Sequence, residues 1–419
     1  MAQDKDLKTP NVPPLRFPGF TDKWKRIKVS ELLDFYSTNS LSWDMLNYDG
    51  GEIKNLHYGL IHSGLPTLVD VSKDSFPFVN EASTPKKYTL CKEGDVAFAD
   101  ASEDTNEVGK VVEFLNTNGE NIISGLHTIH GRDKSDMTVT GFKGYAFSSM
   151  PFHHQIRRIA QGTKIYSIST KTFDEVYIGV PTKDEQAKIA RLLQLLDERI
   201  ATQNKIIEDL KKLKSAIIDK LLGRVQTAQS DRMVKLGEIG KFTRGLTYSA
   251  EDIVEDGGIV VVRANNLSNG EAVNFYNEIV RVDKPISGSQ LLKYGDMVIC
   301  MANGSSALVG KASYYNETTD SIATIGAFCG IYRSDKKIVR WLLQTNKYKR
   351  VIHRSLQGGN GAIANLTPND ILGLSFIIPK QEPSIVELLQ GFDEKLDIEI
   401  SLLHSLQKEK QYLLSQMFI

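Results

Sequence analysis

The sequence predicts an α+β fold in which two similar modules are separated by an antiparallel coiled coil of two long helices. Three observations support this prediction. The chain contains an internal repeat, each copy ends in a long stretch of helix-forming residues, and the apolar residues of the two stretches follow one common spacing. We expect a pseudo-two-fold axis to relate the two copies.

The internal repeat extends over most of the chain. Matches of this length indicate one duplicated module rather than a short solenoid repeat. The matching segments are 27–35 with 234–242, 94–96 (Gly-Asp-Val) with 295–297 (Gly-Asp-Met), 108–110 with 309–311 (both Val-Gly-Lys), 152–162 with 348–358, and 178–181 with 376–379.

The predicted elements follow one order in both copies. Runs of β-branched and apolar residues next to Gly or Asp, as at 95–99 and 258–262, predict strands. A short helical stretch comes next, then a strand that ends in Pro181 or Pro379, and then a long helix. No proline or glycine occurs from 183 to 222, which is typical of a helix.

The two long helices carry apolar residues at alternating spacings of three and four, the pattern of a coiled-coil seam. The apolar seam positions are Leu193, Leu196, Ile200, Ile207, Leu210, Ile217 and Leu221 in the first helix, and Leu389, Phe392, Leu396, Leu403, Leu406, Leu413 and Met417 in the second. Polar residues interrupt both seams at matching places, Gln203 with Glu399 and Lys214 with Lys410. A helix of this length, on the order of 50–60 Å, needs a partner for its narrow apolar stripe. The matching helix of the same chain is the preferred partner, and homodimerisation is the alternative.

These patterns also predict the domain boundaries. Gly223 is expected to end the first long helix, and the polar residues after it are expected to form a linker. The predicted segments are a first module at 1–182, a coiled-coil helix at 183–223, a linker at 224–230, a second module at 231–380 and a second coiled-coil helix at 381–419.

The composition is that of an ordinary globular protein, and its charges balance at 51 basic and 51 acidic residues. The three cysteines, Cys91, Cys300 and Cys329, are far apart, so we expect buried thiols in a reducing cytosol rather than disulfides or a zinc site. The N-terminus has no apolar signal-peptide core, and no apolar run is long enough to span a membrane. These features predict a cytoplasmic protein without a membrane partner.

The balanced total hides two basic stretches at matching places in the repeat. Between Asp136 and Asp174, and again between Asp335 and Asp370, the chain has no acidic residue but several Lys and Arg. The aromatic residues Phe152, Trp341 and Tyr348 are interleaved with these cations. Such stretches indicate contacts with nucleic-acid phosphates, with a solvated helix face as the alternative.

The candidate nucleic-acid contacts fall into two groups. Polar side chains of the kind that read base edges occur in loops beside predicted strands, where the two copies differ most; they are Asn55, His57, Tyr58, Ser102, Arg263, Asn265, Asn303 and Ser305. Candidates for phosphate contact come from the Val-Gly-Lys motifs, the basic stretches and the glycine-rich loops at 161–164 and 357–361; they are Lys110, Arg157, Arg158, Lys164, Lys311, Lys349, Arg350, Arg354 and Asn360. The glycine-rich loops are equally well explained as simple turns.

Known catalytic motifs are missing from the sequence. It has no phosphate-binding loop of the G-x-x-x-x-G-K-[ST] type, no H-E-x-x-H and no G-x-S-x-G. It also lacks the Asn/Asp-Pro-Pro-aromatic motif of amino-methyltransferases. His153 and His154 align with Lys349 and Arg350, which favours a role in charge over metal ligation. We therefore predict neither a catalytic residue nor a metal site.

Several segments resemble the specificity subunits of Type I restriction–modification systems. They are 15–20 (Leu-Arg-Phe-Pro-Gly-Phe) followed by Trp24, the repeated 94–96 and 108–110, and above all 180–190 (Val-Pro-Thr-Lys-Asp-Glu-Gln-Ala-Lys-Ile-Ala) leading into 196–200. The last segment is similar to the Pro-x-x-x-Glu-Gln-x-x-Ile-Ala start of a long helix in that family. The second copy, at 379–386, is shorter and lacks the Glu-Gln pair, although its Asp393-Glu394 still matches Asp197-Glu198.

This resemblance implies a non-catalytic protein with two target-recognition domains, each of which binds one half of a bipartite double-stranded DNA site in the major groove. The coiled coil would fix the gap between the halves. Two modification subunits, which use S-adenosylmethionine, would dock along the helices, and restriction subunits would add ATP- and Mg-dependent translocation and cleavage. We expect the isolated chain to bind DNA weakly and the complex to bind it tightly.

Two other classes of function stay open at this point. One is a self-contained nuclease or methyltransferase, which activity of the purified chain would support. The other is a coiled-coil scaffold that does not contact DNA, which a lack of salt-dependent DNA binding in the complex would support. The target bases and the spacer length are not readable from the sequence.

Overall fold

The computed structural model describes residues 11–162, 164–223, 232–275, 278–316, 322–356 and 364–419. The chain forms two compact units. The first unit runs to Asn204 and also contains Ser401–Ile419, and the second spans Lys205–Ile400. Each long helix therefore contributes one part to each unit.

The first unit is built mainly from short strands. Its strands are β1 (Lys25–Lys28), β2 (Leu33–Tyr36), β3 (Leu46–Asn47), β4 (Lys54–Leu56), β5 (Leu68–Asp70), β6 (Phe78–Val79), β7 (Val96–Ala99), β8 (Ala101–Ser102), β9 (Val111–Asn116), β10 (Ile122–Ser124), β11 (Thr128–Asp133), β12 (Tyr166–Ser167) and β13 (Tyr177–Val180). Its helices are α1 (Val29–Leu32), α2 (Tyr58–Ser63), α3 (Phe142–Phe147), α4 (Met150–Ile159), the first part of α5 (Lys183–Leu222) and the last part of the second long helix, from Ser401 onward.

The second unit repeats most of this order, without counterparts of α2 and β5. Its strands are β14 (Arg232–Lys235), β15 (Lys241–Arg244), β16 (Ile253–Val254), β17 (Ile259–Val262), β18 (Val280–Val282), β19 (Met297–Cys300), β20 (Ala302–Asn303), β21 (Ala312–Tyr314), β22 (Ala323–Ile325), β23 (Cys329–Arg333), β24 (Ala364–Asn365) and β25 (Ser375–Ile378). Its helices are α6 (Leu236–Ile239), α7 (Val339–Leu342), α8 (Asn346–Leu356), α9 (Pro368–Leu372), the last part of α5 and the first part of α10 (Glu382–Gln416).

The sheets of the two units have matching topology. The order β2-β11-β7-β9-β5 in the first unit corresponds to β15-β23-β19-β21 in the second, with β5 as an additional strand. The order β10-β4-β6-β3 corresponds to β22-β17-β18-β16. The small pairs β1-β13 and β8-β12 correspond to β14-β25 and β20-β24. The predicted duplication is thus confirmed at the level of strand order.

The central strand of each larger sheet is buried on both faces. In β7, Val96 and Phe98 belong to one apolar cluster, whereas Ala97 and Ala99 belong to another. In β19, Met297 and Ile299 face one cluster, and Val298 and Cys300 face the other. Because side chains alternate along a strand, a continuous apolar run places both faces of the sheet in the core.

The helix predicted over 183–222 is confirmed as α5, and it ends directly before Gly223. None of the predicted seam positions in α5 or α10 is exposed. In the first unit, Ile189 and Leu193 at the start of α5 share a core cluster with Leu414 and Met417 at the end of α10. The two helix segments of this unit therefore pair in antiparallel fashion.

The second unit contains the other two helix segments, which are also antiparallel. Ile218 and Leu222 at the end of α5 share a core cluster with Ile385 and Leu389 at the start of α10. In both units the partner segment comes from the same chain, as preferred from the sequence over homodimerisation. The coiled-coil prediction is confirmed within each unit.

The compact units cut across the predicted domain boundaries, because the parts of α5 and α10 pack onto the modules that adjoin them. The predicted linker at 224–230 lies outside the described residues. Cys91, Cys300 and Cys329 are free, buried thiols, as expected.

Candidate nucleic-acid interface

In the first unit, several candidate residues meet beside the end of β7. The short strand β8 pairs with β12, so that Ser102 lies opposite Tyr166, two residues after the exposed Lys164. From the basic helix α4, Arg157 Nη1 donates a hydrogen bond to Asn106 Oδ1 at 2.9 Å. The structure thus brings together a predicted loop, a predicted basic helix and the glycine-containing segment after it.

Acidic side chains moderate the positive charge of this surface. Lys110 Nζ lies 2.8 Å from Glu107 Oε2, and the same carboxylate lies 3.5 Å from His62 Nδ1. Arg158 is exposed on α4. In the second unit, Leu308 occupies the position that corresponds to Glu107, and Lys311 occupies the position that corresponds to Lys110.

The repeated Val-Gly-Lys motif fixes this loop against the basic helix. Gly109 and Gly310 have φ values of 76° and 83°, a region that favours glycine. A Cβ at these positions would lie 3.0 Å from Ile156 Cγ2 of α4 and 2.5 Å from Ile352 Cγ2 of α8. The glycine therefore serves both the turn and the close approach of the helix.

In the second unit, Lys311 and Lys349 line one open cavity of about 460 Å³, together with Ser306 and His353. Tyr348 Oη donates a hydrogen bond to the carbonyl of Gly310 at 2.8 Å and so anchors α8 beneath it. The remaining candidates of this helix are exposed; they are Arg350 and Arg354. Asn360 and the rest of the predicted glycine-rich segment, 357–361, lie outside the described residues.

Two further candidates of the second unit are held by one acidic residue. Arg263 Nη2 donates to the carbonyl of Glu278 at 2.8 Å, and Asn265 Nδ2 donates to Glu278 Oε2 at 2.6 Å. Asn303 accepts a hydrogen bond from the backbone N–H of Ser305 at 2.9 Å, which closes a turn. Asn265 and Ser305 are exposed, whereas Arg263 and Asn303 are partly buried.

Two predicted base-reading residues are wrong for this structure, because their side chains are buried. Asn55 lies on β4, between β10 and β6, and donates a hydrogen bond to Asn39 Oδ1 at 3.1 Å. His57 accepts a hydrogen bond from Gly59 N at 3.1 Å and packs against Trp43 at a ring distance of 4.3 Å. Burial, with a smaller electrostatic effect of the nearby His127, lowers the pKa of His57. Tyr58 stays partly accessible and remains a candidate.

The basic stretches also contain core residues that cannot reach a ligand. Phe152, Trp341 and Tyr348 are buried, so the interleaved aromatics do not offer stacking surfaces. Lys143 is buried in an ion pair with Glu113 at 3.2 Å. Burial lowers the pKa of His153 to about 4, so this residue is neutral near pH 7 and the expected charge at this position is wrong.

Sequence reasoning missed a buried ion pair that both units share. The carboxylate of Asp95 accepts two hydrogen bonds from Arg132, each at 2.7 Å, and that of Asp296 accepts two from Arg333 at 2.7 and 2.6 Å. Burial by itself would raise the pKa of Asp95. The hydrogen bonds from Arg132 and His130 together outweigh this effect, so the pKa of Asp95 is below its ordinary value. The repeated Gly-Asp motif was the available signal, and its role is to lock neighbouring strands.

The residues that carry the family resemblance tether the start of α5. Arg16 forms two hydrogen bonds with the buried Glu185 carboxylate, at 2.6 and 2.7 Å. Gln186 accepts from Val139 N at 2.9 Å and donates to the carbonyl of Pro181 at 2.9 Å. In the first copy, the Glu-Gln pair of the motif thus fixes the start of α5 to the segments around Arg16 and Val139.

Two other kinds of site are absent from the described ranges. There, no group of three or more His, Cys, Asp or Glu side chains is arranged to hold a metal ion. Nor does any helix in these ranges combine the length and apolar character required to cross a membrane.

Comparison with known proteins gives consistent matches. A family model described as the Type I restriction modification DNA specificity domain matches residues 21–212 and 231–408. The MjaVIII specificity subunit of Methanocaldococcus jannaschii, a Type I restriction enzyme subunit, is 24% identical over 297 residues, which cover 65% of this chain and 68% of the relative. The EcoKI specificity subunit of Escherichia coli K12 is 30% identical over 164 residues, which cover 37% of this chain and 32% of the relative.

Two solved structures share the fold. The S subunit of a Type I restriction–modification system from M. genitalium has a TM-score of 0.54 at 18% identity, covering 97% of this chain and 99% of that chain. A second chain comes from structural work on the complex assembly and conformational transition of the type I R-M system. It has a TM-score of 0.53 at 14% identity, covering 93% of this chain and 96% of that chain.

Proposed function

Because this chain belongs to the Type I restriction modification DNA specificity domain family, we propose that it is the DNA specificity subunit of a Type I restriction–modification complex. Each unit reads one half of a bipartite double-stranded DNA site. The two long helices set the spacing between the halves.

One observation carries this proposal. Both units place a basic helix, α4 or α8, against the loop that contains Val-Gly-Lys, and both place variable polar side chains beside it. Cations directed at phosphates fix the register of a protein on DNA, whereas the side chains beside them read bases. A shared framework with different side chains is what two readers of different half-sites require.

The partners and cofactors follow from this assignment. We propose that two modification subunits, which use S-adenosylmethionine, dock along α5 and α10, and that restriction subunits add ATP- and Mg-dependent cleavage. Exposed apolar side chains on these helices support docking, since large exposed apolar groups mark interaction surfaces; examples are Leu195, Ile206, Leu213, Leu388 and Ile398. The chain itself would contribute recognition and no catalysis.

The proposal is tested by expressing the chain with its modification subunit in a host that lacks DNA methylation and by mapping methylated bases across the genome. We expect one split motif, made of two short half-sites with a fixed gap. Replacing residues 1–180 by those of another specificity subunit should change one half only. If the subunits purify together but methylate no motif, the scaffold function takes precedence.

Two measurements separate the remaining alternatives. Methylation or cleavage by the purified chain alone would support a self-contained enzyme instead. For a recognition subunit, we expect weak DNA binding by the isolated chain and tight, salt-dependent binding by the complex, because partner subunits add phosphate contacts to a chain with no net charge.

A further inference from the structure

One exposed turn residue occupies the same backbone position in both units. His127 lies in the turn before β11, and Phe328 lies in the turn before β23. The carbonyl of His127 accepts a hydrogen bond from Asp100 N at 3.0 Å, and that of Phe328 accepts one from Met301 N at 2.7 Å. The preceding turn glycines, Gly125 and Gly326, also form matching hydrogen bonds, with the carbonyl that ends β4 or β17, at 2.9 and 2.8 Å.

These turns lie beside the candidate base-reading loops. The ring of His127 packs edge-on against Tyr58 at 5.2 Å, and Asp100 comes just before Ser102. In the second unit, the carbonyl of Phe328 also accepts a hydrogen bond from Ala302 N at 3.2 Å, directly before Asn303. The turn residue therefore stands at the same edge of the sheet as the predicted readers.

The side chains at this position are exposed but chemically different. The side chain of His127 is 50% exposed, and Phe328 is 62% exposed. Water contact of a large apolar ring on a turn does not stabilise the fold. The carbonyls at both positions accept the same main-chain hydrogen bond, although of the two residues only His127 has a positive φ, of 55°. This shared bond does not depend on the particular ring.

The neighbours of each ring match its chemistry. His127 Nδ1 lies 3.1 Å from Asp100 Oδ1, so the carboxylate orients the imidazole and keeps a proton on Nδ1. In the second unit the position of Asp100 is taken by Met301, whose side chain is buried in the core. One unit thus presents an imidazole with a carboxylate beside it, and the other presents an apolar ring without one.

We propose that His127 and Phe328 are specificity-determining residues, each of which contacts a base of the half-site read by its own unit. His127 reads a polar base edge with Nε2, and Phe328 packs on apolar base surface such as a thymine methyl group. This inference rests on the proposed function and assigns it to two residues.

The experiment uses the complex with modification subunits and four variants, His127→Asn, Phe328→Ala, Tyr88→Ala and Tyr294→Ala. Asparagine tolerates the φ of 55° at position 127, so this variant keeps the turn. Tyr88 and Tyr294 are exposed aromatic residues of the first and second unit and serve as controls. Tyr294 precedes β19, at the end of that strand away from Phe328. Genome methylation maps and affinities for the wild-type motif are measured for each.

We expect His127→Asn to relax one half of the motif and Phe328→Ala to relax the other. Each should weaken affinity by roughly 5- to 100-fold, the range typical of a single mismatched base pair. Phe328→Leu, which keeps apolar surface, should restore part of the affinity. The two control variants should retain motif and affinity.

Failure of the inference is distinguishable from failure of the proposed function. If the wild-type complex methylates a split motif and both variants methylate the same motif with equal affinity, the inference alone is overturned. Weaker binding of modification subunits to Phe328→Ala, with unchanged recognition, overturns it in favour of a protein contact. If the wild-type complex has no split motif, the proposed function fails and the inference fails with it.

Discussion

Asp393 of α10 forms an ion pair with Lys214 of α5, the lysine that interrupts the apolar seam of the second unit. The first unit has the equivalent pair, Asp197 of α5 with Lys410 of α10, at 2.5 Å. In each unit an aromatic donor also binds the carboxylate: Trp341 Nε1 lies 3.1 Å from Asp393, and Tyr145 Oη lies 2.9 Å from Asp197. The two lysine interruptions of the seam are thus each paired with a carboxylate of the other helix.

The two carboxylates predict unequal effects of one substitution. Asp393 is 8% exposed and also binds Arg340 at 2.7 Å, whereas Asp197 is 20% exposed. We expect Asp393→Asn to lower the free energy of unfolding of the second unit by about 2–4 kcal/mol, because it leaves buried cations without a charge partner. Asp197→Asn, the matched variant, should lower that of the first unit by about 1–2 kcal/mol. Hydrogen exchange measures each unit separately, and equal losses would contradict this explanation.

The glycine of Val-Gly-Lys offers a second prediction. Gly310→Ala introduces both a left-handed non-glycine residue and a Cβ 2.5 Å from Ile352 Cγ2, so we expect a loss of stability of about 2–4 kcal/mol. Gly295→Ala is the control, since its φ of 86° is similar but nothing lies within 4 Å of the new Cβ. Its cost should be about 1–2 kcal/mol. Denaturant unfolding gives both values; similar losses for the two variants would show that packing against α8 is unimportant.

The exposed cations of α8 should act by neutralising DNA phosphates. Replacing Lys349, Arg350 and Arg354 together by alanine should weaken DNA binding by the complex similarly for all sequences. It should also reduce the slope of log affinity against log salt by about 1 for each phosphate that is no longer neutralised. Lys241→Ala, an exposed lysine on β15 of the same unit, should leave the slope unchanged. An unchanged slope for the triple variant would indicate a solvated helix face instead.

His153 predicts a pH dependence of stability. Its pKa is about 4 in the folded chain and 6.5 ordinarily, so between these values the unfolded chain takes up a proton that the folded chain does not. The free energy of unfolding of the first unit should therefore fall as the pH is lowered from about 6.5 towards 4. Buried His57 has the same sign. Calorimetry measures the melting temperature at pH 7 and pH 5. The decrease between these values should be smaller for His153→Gln than for the wild type, and an equal decrease would show that another group causes the pH dependence.

The coiled-coil seam shows which features the spacing of residues predicts and which it does not. Spacing along α5 and α10 predicted seam positions none of which is exposed, and the offset between the helices marked Lys214 and Lys410 as equivalent. It missed Ile218, Leu222 and Leu414, which lie in the core clusters. It did not give the partners of the two lysines, Asp393 and Asp197, because an ion pair between helices depends on their axial alignment. That alignment is set by packing against Ile189, Leu389 and other residues of the cores.

The candidate interface was harder to predict. Residue type alone marked Asn55 as a base reader, yet its side chain is buried beside Asn39 and Gly125, which come from other parts of the sequence. In the same way, residue type gave Lys143 a place in a basic surface, although Glu113 of β9 holds it in the core. Burial of a polar side chain is a property of the neighbours that the fold brings to it.

The sequence by itself determined the duplication, the long helices with their seams, the strands that end in proline, and the family resemblance, because periodicity and repeated motifs are local properties of the chain. Only the tertiary structure decided which cations stay at the surface, such as Arg350 and Arg354, and which are paired in the interior, such as Lys143. It alone placed His127 and Phe328 at equivalent exposed turns, because that equivalence depends on hydrogen bonds between strands distant in sequence.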